Sequence, residues 1–154
     1  MKTYTLLINT LIKCKEYVKP SDAVFRVLER YPNEVPLLTS RAWIWSQTGK
    51  PQEAIQSLKT MLNLRPDDTD IRSLIAVIAK QQHDYAEAID QFTWLLKNST
   101  DKVQMRYNRA EAYFADGQYR EAWQDVGTLM KINPGDPVVR QLAERIGEGL
   151  QALP

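Results

Sequence analysis

Along most of the chain the apolar residues recur at steps of three and four: Ile55, Leu58, Met61 and Leu62, then Ile89, Phe92, Leu95 and Leu96, then Val126, Leu129 and Met130. That spacing draws a stripe down one face of an α-helix, whereas a half-buried strand would alternate every second residue. Strand alternation is absent, so the chain is expected to be all-α. The stretches also repeat. Ala54, Ala88 and Ala122, in the phrases QEAIQSL, AEAIDQF and REAWQDV, are evenly spaced, and Ala42, Ala76 and Ala110 keep the same step. Pro32, Pro66 and Pro134 follow it too, with Thr100 in the vacant place. Three sets sharing one period divide the chain into units 1–34, 35–68, 69–102 and 103–136, with a tail, 137–154, behind them.

Each unit breaks once in the middle, at Gly49-Lys50-Pro51, at His83-Asp84-Tyr85 and at Gly117-Gln118-Tyr119. The breaks give two helices of about a dozen residues per unit, joined by a tight turn. Gly117 reads as a helix C-terminal residue in the left-handed region, and Pro51 suits the first turn of a helix, where its missing N–H costs nothing. Helices packed about 8 to 10 Å apart need small side chains where they cross, so Ala42 with Ala54, Ala76 with Ala88, and Ala110 with Ala122 mark the contacts. In the tail, Asp136 is placed to accept from free N–H groups and Pro137 fits the first helical position. Val139, Leu142, Ile146 and Leu150 then form one apolar stripe, which makes residues 137–154 a solvating cap helix. The expected total is nine helices, four pairs and a terminal one.

These residues resemble the tetratricopeptide-repeat family. Unit four carries the pattern most fully, with Ala110, Tyr113, Gly117, Tyr119, Ala122 and Pro134 at the family's positions in YNRAEAYFADGQYREAWQDVGTLMKINP. Units two and three depart from it: Pro51 replaces the usual aromatic, His83 the turn glycine and Thr100 the terminal proline. Unit one is degenerate. It keeps Leu7, Leu11, Tyr17, Val24, Val27, Leu28 and Pro32, has Ile8 and Pro20 where small residues are expected, and fits equally well with a three-residue insertion that brings Ala23 to the alanine position. The resemblance implies a right-handed superhelical array of antiparallel helix pairs, forming a single domain over residues 1–154.

Composition narrows the function. With 44% hydrophobic residues the chain can bury a core, and its 20 Lys and Arg against 19 Asp and Glu leave a net charge of +1. A nucleic-acid-binding domain would need a surplus of cations, so no nucleic-acid partner is expected. Thr3 to Ile12 is too short for a membrane span, and Lys13 and Lys15 around Cys14 do not suit a cleavage or lipid-anchor site. The start of the chain therefore reads as an amphipathic helix of a soluble, cytoplasmic protein. Cys14 is the single cysteine, which excludes an internal disulfide or a thiolate cluster. Asn98-Ser99-Thr100 has the form of a glycosylation acceptor, a pattern that chance supplies readily.

Nothing in the sequence assembles a catalytic cluster. The one histidine, His83, stands at an interhelical turn and reads as a turn residue, and Cys14 reads as a small apolar group. Asp67-Asp68 and the Glu87, Asp90 pair sit at helix starts or on second-helix faces, where the helix dipole and solvation account for them. No glycine-rich phosphate loop is present, and no enzyme activity, metal or cofactor is expected.

Binding is the expectation that remains. Stacked helix pairs expose a continuous concave wall, which in the family is made by the first helix of each unit. The resemblance places Thr5, Asn9, Ile12 and Lys13 on it from unit one, and Thr39, Trp43 and Gln47 from unit two. Ser73, Leu74, Val77 and Lys80 follow from unit three, and Tyr107, Asn108, Glu111 and Phe114 from unit four. The family's clamp for a terminal carboxylate is not reproduced: Asn108 matches, but Ser73, Val77, Val138 and Leu142 stand where its other groups would be. An aromatic and aliphatic stripe is left, Trp43, Leu74, Val77, Tyr107 and Phe114, which suits an amphipathic helix or an apolar peptide. Leu74 and Val77 serve equally well as packing between neighbouring first helices. Arg41 and Arg109, at the same repeat position in units two and four, are expected to lay their stems along the helix pair and keep hydrated heads. The expected function is a non-enzymatic adaptor or chaperone-like module with a protein or peptide partner; the alternative is a self-assembly unit that oligomerises through its repeat ends.

Overall fold

The computed structural model describes residue 30 and residues 35–152. The expectations for unit one, including its helix pair, Cys14 and the wall residues Thr5, Asn9, Ile12 and Lys13, lie outside the described residues. Among the described residues there are seven helices: α1 (Val35–Gln47), α2 (Pro51–Leu64), α3 (Thr69–Gln81), α4 (Tyr85–Asn98), α5 (Lys102–Ala115), α6 (Tyr119–Ile132) and α7 (Pro137–Gln151). Two compact units divide them, one ending at Ile78 and the other beginning at Ala79.

The turns fall where the repeat breaks. Gly49, His83 and Gly117 occupy the same place in successive repeats, and all three take a left-handed backbone, with φ of 80°, 62° and 76°. In each case the next residue donates its N–H five residues back: Lys50 to the Trp45 carbonyl at 2.8 Å, Asp84 to Ala79 at 3.0 Å and Gln118 to Tyr113 at 2.8 Å. This closure satisfies carbonyls that the end of a helix would otherwise leave free. His83 takes a conformation that glycine takes without cost, and its Nδ1 lies 2.7 Å from the Tyr85 hydroxyl. Helix starts are built from acids and prolines. Asp68, Asp84, Asp101 and Asp136 accept from backbone N–H groups of the first turns of α3, α4, α5 and α7, and Pro51 and Pro137 open α2 and α7.

In the first unit α1 packs on α2, with Ala42, Ile44, Ala54, Ile55, Leu58 and Met61 buried. In the second unit α4 packs on α5, α5 on α6, α6 on α7, and α5 also touches α7. Its core joins Ala110, Ala122, Val126 and Leu129 to Val139, Leu142, Ala143 and Ile146. The alanines expected at helix crossings, from Ala42 to Ala122, have no exposed surface. Ala122→Leu should therefore overpack the α5–α6 crossing and cost about 1 to 3 kcal/mol in chemical denaturation. An unchanged unfolding midpoint would show that the small side chain is not what sets the helix spacing.

Candidate functional site

Helix α5 turns two different faces to its surroundings. Ala110 and Ala112 are fully buried, and between them Tyr107, Asn108, Glu111 and Phe114 are half-buried, Tyr107 and Phe114 packing in part against the core of the second unit. Their spacing of one, three and three residues keeps these four side chains on one stripe of the helix. The stripe is ordered by polar contacts. Tyr107 donates its hydroxyl proton to Glu111 Oε1 at 3.1 Å, and Lys80 Nζ, from the last turn of α3, reaches Glu111 Oε2 at 2.8 Å. Burial, reinforced by the Glu111 charge and hydrogen bond, pushes the Tyr107 hydroxyl up to about 12, so it stays a donor at neutral pH. Gln104 Nε2 lies 3.4 Å from Asn108 Oδ1 one turn away. At the far end of the stripe the Arg145 guanidinium lies 4.6 Å from the centre of the Phe114 ring, and Tyr119 meets the same ring at 5.7 Å, tilted by 55°.

Arg145 is exposed, and the signal for its place at the end of the stripe is the repeat register, since it stands one full repeat after Glu111. The register puts α7 in the place of a first helix, and its contact with α5 agrees with that.

The first unit carries the other described wall residues. Thr39 and Trp43 are half-buried and Gln47 is exposed, at successive steps of four along α1. Leu74 and Val77 are half-buried on α3.

Arg41 and Arg109 each stack on an aromatic residue four positions on, Arg41 at 4.6 Å from the Trp45 ring and Arg109 at 5.5 Å from Tyr113. The hydrated head expected for Arg109 is wrong. Its Nε and Nη2 donate to the two oxygens of Asp125 at 2.7 and 2.8 Å, Nη1 reaches the Thr93 hydroxyl at 3.0 Å, and Arg106 Nη1 adds a third bond to Asp125 at 2.9 Å. Asp125 is 3% exposed in its side chain. A buried carboxylate must be paired, and two guanidinium groups do that here. The Asp125 hydrogen bond outweighs burial and raises the Arg109 pKa. In the first unit the equivalent second-helix position is Ser57, two repeats earlier. Its hydroxyl accepts from Arg41 Nη2 at 3.2 Å, while Arg41 Nε is buried without a partner and burial lowers the Arg41 pKa. The pairing of Arg109 with Asp125 is thus a structural device of the second unit.

Two sequence models described as tetratricopeptide repeat match the chain, one over residues 73–137 and one over residues 45–93. The chain belongs to the tetratricopeptide-repeat family. No curated protein matches it in sequence. Among solved structures, the MamA protein is similar with a TM-score of 0.77 and 20% identity, over 98% of this chain and 85% of MamA. A tetratricopeptide repeat protein from Parabacteroides merdae gives 0.80 and 18%, over 97% of this chain and 60% of that one. The first tetratricopeptide repeat of Spaghetti (RPAP3), bound to the HSP90 peptide SRMEEVD, gives 0.64 and 17%, over 75% of this chain and 92% of that one. These likenesses show the fold, an all-α array of helix pairs. Among the described residues no helix is long and apolar enough to cross a membrane.

Proposed function

We propose that this protein is a non-enzymatic protein–protein interaction module, adaptor or chaperone-like, whose first-helix faces bind a peptide or amphipathic helix of a partner. The observation that carries the reading is the α5 stripe. Tyr107, Asn108, Glu111 and Phe114 stand half-exposed together, and the Glu111 carboxylate is held in place from two sides. Partly exposed aromatic groups on an ordered polar frame supply contact area at small entropic cost, which is what a binding surface needs. The repeat register extends the same role to Asn9, to Thr39, Trp43 and Gln47, and to Leu74 and Val77.

The test is selection of binders from a displayed library of random peptides, followed by affinity measurement. Tyr107→Ala, Phe114→Ala and Trp43→Ala are expected to weaken the selected peptides by about tenfold or more with helicity intact, the loss typical of an aromatic anchor. Peptides that bind all three variants as well as the parent would overturn the groove. A mass that rises with concentration in light scattering, together with no selected peptide, would instead favour self-assembly through the repeat ends.

A further inference from the structure

Within the second unit, Arg145 is the arginine that stacks on an aromatic ring without a carboxylate. Arg109 stacks on Tyr113 but spends its donors on Asp125, and Arg106 shares that carboxylate. Arg145 lies on Phe114 and, among the described residues, makes no ion pair or hydrogen bond. Its neighbours explain why. Glu111 is already engaged by Lys80 and Tyr107. Glu144 and Glu148, the acids nearest Arg145 along α7, line a separate cleft with Trp123 and Met130. Glu111 is paired with Lys80 and Asp136 caps the first turn of α7, so the Arg145 guanidinium is the cation of the stripe with no direct carboxylate contact. The contact with Phe114 restricts the guanidinium, whose N–H groups make no hydrogen bond among the described residues.

We propose that Arg145 anchors an acidic side chain, Asp or Glu, of the bound partner segment, with an apolar residue of that segment packed beside Phe114. This rests on the groove reading above and names the chemistry of its occupant. A planar guanidinium fork matches a carboxylate through two parallel hydrogen bonds, and an unpaired positive charge on a binding face selects partners of opposite sign. A side-chain carboxylate is favoured over a chain terminus because the neighbouring α7 positions, exposed Val138 and buried Leu142, supply no second cation beside Arg145.

The experiment uses the full chain and peptides from the displayed library, resynthesised with amidated C-termini. Enriched sequences should share an Asp or Glu near a large apolar residue. Changing that acid to its amide should weaken binding to the parent by about tenfold, the value of a charge-assisted hydrogen-bond pair. Arg145→Met keeps an apolar stem against Phe114 but lacks the charge, so it should lose about the same factor for the acidic peptide and be indifferent to the amide change. Arg145→Lys should recover only part of the loss. If amidation of the C-terminus abolishes binding, or if phosphorylated but not acidic peptides discriminate the variants, the occupant is not an acidic side chain and the proposal falls. Peptides that depend on Phe114 but not on Arg145 would overturn this inference and leave the groove standing. Failure to select any peptide would remove both.

Discussion

Asp125→Ala is expected to destabilise the second unit by about 3 to 5 kcal/mol, the usual consequence of removing one partner from a buried ion pair. The carboxylate is 3% exposed, Arg109 18% and Arg106 27%. Arg106 is the more exposed of the two and can turn toward solvent once Asp125 is gone, but Arg109 is held by Thr93 and Tyr113 and would keep its charge in a largely buried place without a carboxylate. The loss should therefore exceed that of a typical surface pair, which is about 0 to 1 kcal/mol. The measurement is chemical denaturation followed by circular dichroism. A control separates the stranded charge from a simple packing defect: adding Arg109→Met to Asp125→Ala removes the charge that has no partner and should restore much of the stability. If the single variant unfolds at the parent's midpoint, the cluster is not holding α5 to α6.

That cluster also shows where sequence reading stopped. Periodicity and turn chemistry located the described helices, because one shared repeat period fixes a break at Gly49, His83 and Gly117 alike. The alanines were legible for the same reason: a position that must be small in every repeat leaves a repeating mark. Asp125 leaves none, since Ser57 and Gln91 stand at its register positions and the pairing with Arg109 exists in one repeat only. A lone acid on a helix looks like a solvated charge until the partner helix is placed against it. Arg145 was hidden by a related effect. As part of a tail it reads as wet surface, and only with α7 beside α5 does it come to lie on Phe114. The α5 stripe itself was legible as a set of neighbours, because the family resemblance assigns Tyr107, Asn108, Glu111 and Phe114 to one wall and their spacing keeps them on one side of the helix. The bond from Lys80 to the Glu111 carboxylate was not, since it depends on side-chain reach between helices, and the Tyr107 bond to the same carboxylate, within α5, depends on the rotamers the two side chains take.

Removal of residues 137–154 should convert the protein into a species that self-associates. Helix α7 places Val139, Leu142 and Ile146 against the core of the second unit at 6%, 3% and 0% exposure. Burying three such side chains contributes on the order of 5 to 9 kcal/mol before ordering entropy is counted, at roughly 1.5 to 3 kcal/mol each. The same surface is lost from the other side of the contact, where Val126 and Leu129 of α6 are buried in one cluster with these residues. The last turn of α7 closes tightly, since a Cβ at Gly149 would come within 2.7 Å of the Tyr119 ring. Arg140, Glu144 and Glu148 point to solvent, so the helix is dry on one side and charged on the other. A repeat array needs such a helix wherever an apolar stacking surface would otherwise meet water. Sedimentation or light scattering across a concentration series is the measurement, with a mass that grows with concentration expected for the truncated chain and not for the parent. A truncated chain that stays monomeric and melts with the parent would show that α7 shields nothing, and its free Arg145 would then belong to a segment that exists for the partner alone.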